Sequence, residues 1–546
     1  MIADLDDLGN GLHELHADVC VVGGGAVGLV LATQLARSGR SVIVLEGGGR
    51  GLEMDSQALH RGASVGHPFA NIAVGRYRAL GGSTLYWGGQ LIPFDAHVTQ
   101  ARAWLNHETW PIPADELERL FHRAYAALGL KDALLEDSAV WQCLGSEVPD
   151  AGERLQVEIS RWVKVRNLAR HFRNELQAPA GRLKVLVHAN VVGITMNEAR
   201  TRVESVRARS LRGRHCEVRA DAFVLANGTL EIVRLLLHPL ADDRAPPWAG
   251  NRWLGRPFVD HLDCVAAQVF PTDHRQFAHL FDAVYISGYK YFPRLRLRPA
   301  VQQQEGLVDI AAQFLYKTRI SEHVEVLRMF WRSLRDGTQS ASWRGLPRHV
   351  LAVLSTIAPL AIRYLREHRS FKPRDAEVSL ALFCEQLPFD DSRLRLGADS
   401  DSLGMRCIEV DWRIDGREVE TIRAMAFAVR DFLESRNIAS VAIDADLASG
   451  NASFVTKLHD AIHQMGATRM ALTPERGFVD ANLKVFGTQN LHIAGATVFP
   501  STGSSNPTFT ALALAIRLAD HLASTPASPA RGCVAIADNL AAKAPV

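Results

Sequence analysis

Apolar positions along this chain fall into a few spacings, and those spacings place its elements. Val19-Cys20-Val21-Val22 is an unbroken apolar run, the pattern of a strand buried on both faces of a parallel sheet. Leu29, Leu31, Ala32, Leu35 and Ala36 then recur at helical spacing until Gly39, and Ser41-Val42-Ile43-Val44-Leu45 is a second apolar run ending at Glu46. Strand, helix and strand form one βαβ unit. Further along, 185–194 reads as strand and turn, 222–226 as a buried strand feeding a helix over 232–237, and 490–494 as another short strand. A helix over 114–128 sets Leu117, Leu120, Phe121 and Ala124 on one face, and another runs over 509–522. Between about 262 and 450 the runs at 284–286, 307–314, 378–383 and 407–412 alternate, which predicts a mixed or antiparallel sheet.

The turn inside the βαβ unit is Gly23-Gly24-Gly25-Ala26-Val27-Gly28, a G-x-G-x-x-G. Gly23 permits the tight turn, Gly25 lets backbone approach a pyrophosphate, and Gly28 lets the helix lie close on the strand. Phosphate then sits at the helix N-terminus, where free N–H groups and the positive dipole end favour anions. Glu46, at the end of the second strand, accepts from ribose hydroxyls and repels a 2′-phosphate, so FAD or NAD fits better than NADP. The expected fold class is α/β, a Rossmann-like dinucleotide-binding domain with a second α+β substrate domain.

Composition narrows the class without changing it. With 546 residues, two domains are expected, and a formal charge of +2 gives no reason for a nucleic-acid partner. Seven scattered cysteines without a C-x-x-C pair suggest neither a disulfide framework nor a metal site, and point to a reducing, cytoplasmic setting. Met1 to His16 carries four acidic residues and no basic, apolar leader, and reads as a frayed lead-in. A helical insertion over 319–369 sets Arg328, Arg332 and Arg335 opposite Leu327, Phe330 and Leu334. The apolar run over 350–362 that follows holds Pro359 and is too short to span a bilayer. That insertion packs on its own domain or offers a face to a membrane or partner subunit, the first being favoured. The tail over 526–546, rich in Ala, Pro and Ser, reads as disordered.

Two further stretches carry candidate chemistry. Arg78 to Gly89 interleaves four glycines and a Ser-Thr pair with Tyr86 and Trp87, a backbone able to press against a flat ligand. Near the other end stand His463-Gln464-Met465-Gly466-Ala467-Thr468-Arg469-Met470 and Gly495-Ala496-Thr497-Val498-Phe499-Pro500-Ser501-Thr502-Gly503-Ser504-Ser505-Asn506-Pro507-Thr508, the latter opening a helix with free N–H groups.

Together with G-x-G-x-x-G and Glu46, these motifs resemble the glucose–methanol–choline family of FAD-dependent oxidoreductases. The order matches over nearly the whole chain, the 319–369 insertion excepted. Within the family the chain is most similar to the pyranose oxidase, fructose and gluconate dehydrogenase and glycoside 3-oxidising branch. The resemblance implies a noncovalent FAD, since Tyr86 stands where some relatives have a tethering histidine. It assigns His463 as base and Asn506 as its hydrogen-bonding partner, and lays the cofactor on Gly23, Gly25, Gly28, Glu46, Gly81, Gly82, Ser83, Trp87, Gly88, Val191, Ala226, Gly495, Ala496, Asn506, Pro507 and Thr508. His459 and Arg469 receive no role.

The expected organisation is a discontinuous FAD domain (16–100, 157–261 and 451–525), a connecting helical or lid region (101–156) and a substrate domain (262–450). Tyr285, Gln313, Glu385 and Gln386 are expected to give the last a polar wall, which suits a sugar or glycoside oxidised at a secondary ring hydroxyl. O₂ or a carrier reoxidises the flavin. A non-sugar alcohol, a non-redox flavin lyase, and a subunit of an electron-transfer or membrane assembly remain the alternatives.

Overall fold

The computed structural model describes residues 1–9, 12–178, 181–318, 326–327 and 346–525. The unbroken apolar strand, Leu12–Val22, lies inside an eight-stranded sheet, parallel to Val42–Leu45 on one side and to His215–Leu225 on the other. Leu183–Val187 follows Val42–Leu45, again parallel, whereas Val203–Arg209 and Asn190–Met196 complete the far side as an antiparallel pair. Leu491–Ile493 adds in parallel beside Phe223, Val224 and Leu225. Helix Ala26–Arg37 packs on the closing helix Pro507–Ser524, which in turn packs on Ala114–Ala127. There the Phe509 ring meets Phe121 and Tyr125 at centroid distances of 5.5 and 4.4 Å.

The N-terminus is not frayed. Ile2–Asp4 forms an edge strand parallel to Leu183–Val187, with Ile2 opposite Val185, and the strand expected to start at Val19 begins at Leu12. Pairing with a distant strand supplies the backbone partners that a polar lead-in cannot supply for itself.

The second sheet has nine strands, all antiparallel, built around Leu262–Pro271, Glu377–Cys384, Ile310–Lys317 and Tyr289–Leu297. Leu155–Trp162 joins it against Tyr289–Leu297, so the segment expected to open a nucleotide-domain stretch near Val157 enters this sheet first. Helix Val419–Ser435 covers one face, burying Ile422, Met425, Val429 and Leu433 in a core separate from that of the first sheet. A third, three-stranded sheet joins Arg393–Ser400, Arg406–Trp412 and Gly62–Gly66.

Of the expected insertion, Arg328, Phe330, Arg332, Leu334 and Arg335 lie outside the described residues. Its second half is one helix, Leu346–Glu367, containing Pro359 and tied down by Arg363 to Asp282 at 2.8 Å. No helix among the described residues is long and apolar enough to cross a membrane. The tail over 526–546 also falls outside them.

Candidate active site

Three strands of the parallel sheet, Leu12–Val22, His215–Leu225 and Leu491–Ile493, end at one cavity of ≈ 690 Å³, the usual place for a ligand in such a sheet. Two are followed directly by helices whose caps are glycines, Gly25 before Ala26–Arg37 and Gly228 before Thr229–Leu237. Neither cap side chain can bond the first-turn N–H groups, so those donors stay open to the cavity. A Cβ on Gly28 would lie 2.0 Å from the Gly23 carbonyl oxygen, whereas one on Gly25 would meet nothing within 4 Å. The first glycine seats the helix, and the second opens onto ligand space.

Most of the expected contact residues line this one cavity: Gly23, Gly25, Glu46, Gly82, Ser83, Trp87, Gly88, Val191, Ala226, Gly495, Ala496, Asn506, Pro507 and Thr508, with His463. Gly28 and Gly81 do not. Gly28 sits beneath the turn, and Gly81, at φ 100°, donates its N–H to the Gly24 carbonyl at 2.8 Å and so pins the second glycine loop to the first. The Glu46 carboxylate accepts from Gly24 N–H and Gly48 N–H, both at 2.8 Å. Burial pushes its pKa up to about 7 against those two donors and the Arg78 charge.

His463 belongs to a turn held by a buried carboxylate. Asp260 Oδ1 accepts from the backbone N–H of His261 at 2.8 Å and of Ala461 and His463 at 3.0 Å. Burial and then Asp460 push the Asp260 carboxyl well above its usual range, while the three N–H donors favour its ionised form. Ile462 precedes the histidine at φ 63°, rare for a β-branched side chain, a conformation costing about 1–3 kcal/mol that persists only where surrounding contacts impose it.

The His463 ring is held as well as its backbone. Its Nδ1 is 2.8 Å from Nδ1 of His261, with the rings edge to face at 83°. The other His261 nitrogen, Nε2, is buried with no hydrogen-bond partner among the described residues, while the backbone of Thr502 and Gly503 favours protonation of the ring against its burial. With Nε2 of His261 protonated, its Nδ1 accepts, so His463 carries its proton on Nδ1 and its Nε2 lone pair is free. Burial and the adjacent His261 hold the His463 pKa well below the ordinary imidazole value, and burial lowers His261 to about 4. Both rings are neutral at neutral pH.

Asn506 caps helix Pro507–Ser524 without bonding it through its side chain, which leaves the amide facing the cavity. The loop before it is gripped by the second sheet. Asp309 Oδ2 accepts Ser504 N–H at 2.7 Å, and Glu385 Oε1 accepts Thr502 N–H at 3.4 Å. These carboxylates are charge-paired, Asp309 with Arg296 at 2.7 Å and Glu385 with Arg102 at 2.5 Å. Burial opposes ionisation of Glu385, but the Arg102 guanidinium holds its pKa down to about 2.

One face of the second sheet closes the cavity. Strand Tyr289–Leu297 sends Tyr289, Tyr291 and Leu295 into core, so by alternation Lys290, Phe292 and Arg294 look the other way, and Arg294 lines the cavity with Gln313, Trp162 and Phe383. Of the four residues expected to form a polar wall, only Gln313 does so. Tyr285 packs on Tyr364, Glu385 is spent on Arg102, and Gln386 accepts from Trp412 Nε1 at 2.9 Å while donating to the Arg413 carbonyl. Arg469 lies 4.8 Å over the Trp253 ring, and His459 is exposed on an edge strand. Arg294, Trp162 and His261 went unnoticed in the sequence, although the alternation of K-Y-F-P-R could have raised the first.

Comparison with known proteins bears on the same regions. Residues 21–80 match the NAD(P)-binding Rossmann-like domain family, and 388–515 match the family described as GMC oxidoreductase. A C-glycoside 3-oxidase of Microbacterium trichothecenolyticum is 33% identical over 155 residues, 27% of this chain and 27% of that protein. The 6'''-hydroxyparomomycin C oxidase of Streptomyces lividus is 28% identical over 163 residues, 29% of this chain and 28% of that one. The matched stretches thus span under a third of either relative. Among solved structures, pyridoxine 4-oxidase from Mesorbium loti superposes with a TM-score of 0.53 at 17% identity, covering 92% of this chain and 98% of that one. A fungal aryl-alcohol oxidase does so with a TM-score of 0.55 at 14% identity, covering 93% and 98%. A dinucleotide cradle after the first strand, a gripped Asn-Pro-Thr helix start inside the segment 388–515 that matches the GMC oxidoreductase family, and a fold that superposes over most of both chains make this chain similar to the GMC oxidoreductases.

Proposed function

We propose that the chain binds FAD noncovalently in this cavity and oxidises a secondary ring hydroxyl of a sugar or glycoside to a ketone. The observation that carries the reading is the His261–His463 contact at 2.8 Å, which, with the His261 proton on Nε2, leaves His463 Nε2 unprotonated in the same cavity that Asn506 lines and Gly25 opens. The residues fit the cofactor. Gly25 and the first turn of Ala26–Arg37 would hold the pyrophosphate, Glu46 would take the ribose, and the Gly82–Gly88 loop would lie against the flat ring. Bound there, FAD supplies an acceptor for a hydride.

The chain's own residues do the rest. His463 Nε2 takes the hydroxyl proton as the carbon loses its hydride, the work of a neutral imidazole whose pKa lies below the working pH. The Asn506 amide orients the hydroxyl without competing for its proton. Arg294 and Gln313 offer donors to neighbouring ring hydroxyls, so analogues lacking them leave buried polar groups unpaired. Tyr86 stacks on Tyr77 at 4.6 Å and has no imidazole to tether a flavin. The relatives named C-glycoside 3-oxidase and 6'''-hydroxyparomomycin C oxidase support the substrate class.

The test is anaerobic mixing of the yellow holoprotein with a panel of sugars, glycosides and simple alcohols. Sugars or glycosides should bleach the flavin, and the product should carry a ring ketone that borodeuteride labels. Bleaching by aromatic or long-chain primary alcohols alone refutes the sugar reading, and flavin retained in an acid-precipitated pellet refutes the noncovalent one.

A further inference from the structure

Cations buried on the inner face of the second sheet each have a carboxylate, Arg294 with Glu158 and Arg296 with Asp309, both at 2.7 Å, and Arg161 on the opposite face has Asp137 at the same distance. At the outer end of the inner face the pattern breaks. Lys290, four residues before Arg294 on the strand, has no carboxylate within 4 Å among the described residues, and neither do Arg166, Lys164 or Lys372. Lys290 Nζ instead stands 3.5 Å over the ring of Trp162, a cavity-lining residue, and Lys164 Nζ stands 3.6 Å over Tyr289. Arg166 is fixed beside them, its carbonyl accepting Trp87 Nε1–H at 2.8 Å and its aliphatic stem packing on Gly89 at the cavity edge. A half-buried ammonium is rarely left without an acid, because aromatic faces return only part of the solvation it loses. Burial, then the Lys372 and Arg166 charges, pulls the Lys290 pKa down to about 8, strain that a bound anion relieves.

We propose that Lys290 and Arg166 form an anion subsite at the rim, so that the glycoside oxidised deeper in the cavity carries an acidic group, a carboxylate or sulfonate, on an aglycone resting against Trp162. This rests on the reading that the sugar lies beside His463 and Asn506, and it adds where the aglycone goes and what charge it bears. The rim cations are placed to capture the anion and Trp162 to stack the ring, while Arg294 and Gln313 remain for the sugar.

Binding can be separated from turnover by titrating His463→Ala holoenzyme, followed by flavin absorbance and tryptophan fluorescence. The probes are phenyl β-D-glucopyranoside and its 4-carboxyphenyl and 4-sulfophenyl counterparts, with benzoate and benzenesulfonate as sugar-free arms. The acidic glucosides should bind about tenfold to a hundredfold tighter than the neutral one, the scale of a hydrogen bond to a charged group. That advantage should shrink in high salt, disappear in His463→Ala/Lys290→Met and return in His463→Ala/Lys290→Arg. A carboxylate-only or sulfonate-only advantage identifies the acid. Equal affinity for neutral and acidic glucosides, or an advantage that survives Lys290→Met, overturns the subsite. So does an effect of Lys290→Met confined to the KM of an anionic electron acceptor, which would make the patch a carrier dock. If the sugar-free acids bind with the same Lys290 dependence while no sugar reduces wild-type flavin, the subsite stands and the sugar reading falls.

Discussion

Replacing His261 tests the central contact, because the residue lies one shell away from any substrate and acts only through His463. In His261→Leu the ring nitrogen that receives the His463 Nδ1 proton is gone, and the leucine fills a position that is fully buried, so no water replaces it. A buried donor left unpaired costs about 1–3 kcal/mol. The imidazole can escape that cost by moving its proton to Nε2, which removes the lone pair needed for the hydroxyl proton. Either route raises the barrier to proton removal by a similar amount, and since about 1.4 kcal/mol is tenfold, the reductive step should slow by about 10- to 100-fold. His261→Asn places a carbonyl oxygen close to the lost Nδ1 and should recover most of the rate. The assay is stopped-flow flavin reduction under anaerobic conditions with the best substrate of the panel, with FAD content measured for each variant. Wild-type reduction rates in the Leu variant, or an Asn variant as slow as Leu with its FAD in place, would refute the tautomer argument.

Since His463 is active when neutral and its pKa is lowered, its active form persists on acidification, and kcat/KM for flavin reduction should stay level from about pH 8 to about pH 6; an acid limb at or above the ordinary imidazole value speaks against this. Gly28→Val should lower both Tm and FAD retention, because a Cβ placed 2.0 Å from the Gly23 carbonyl forces helix and strand apart, at a cost of about 1–3 kcal/mol or more; a Tm equal to wild type would show that the turn yields freely. Glu385→Ala strands the buried Arg102 charge and frees the Thr502 N–H, so denaturant unfolding should show a loss of about 3–5 kcal/mol together with slower flavin reduction. A soluble variant with unchanged stability would mean that Arg102 finds another acceptor.

The βαβ unit was legible because its information is local. An apolar run, glycines at set spacings and an acid at the end of the next strand dictate a turn whose geometry depends on few other parts of the chain, and Gly23, Gly25 and Glu46 all face the cavity. His463 and Asn506 were named by motif resemblance, and both line that cavity too. What lies around them was decided by tertiary structure. Strand alternation separates Lys290, Phe292 and Arg294 from Tyr289, Tyr291 and Leu295, but only the packing of the sheets determines which set becomes core and which becomes wall. Glu385 and Gln386 read as a polar wall because polarity is visible in sequence, whereas the partners that consume it, Arg102, Trp412 and Arg413, come from strands and loops elsewhere. His261 and His463 are separated by 202 residues, and no spacing rule links them. Their contact exists because the Asp260 carboxylate gathers the backbone N–H groups of both segments at one point, a meeting that only the folded chain produces.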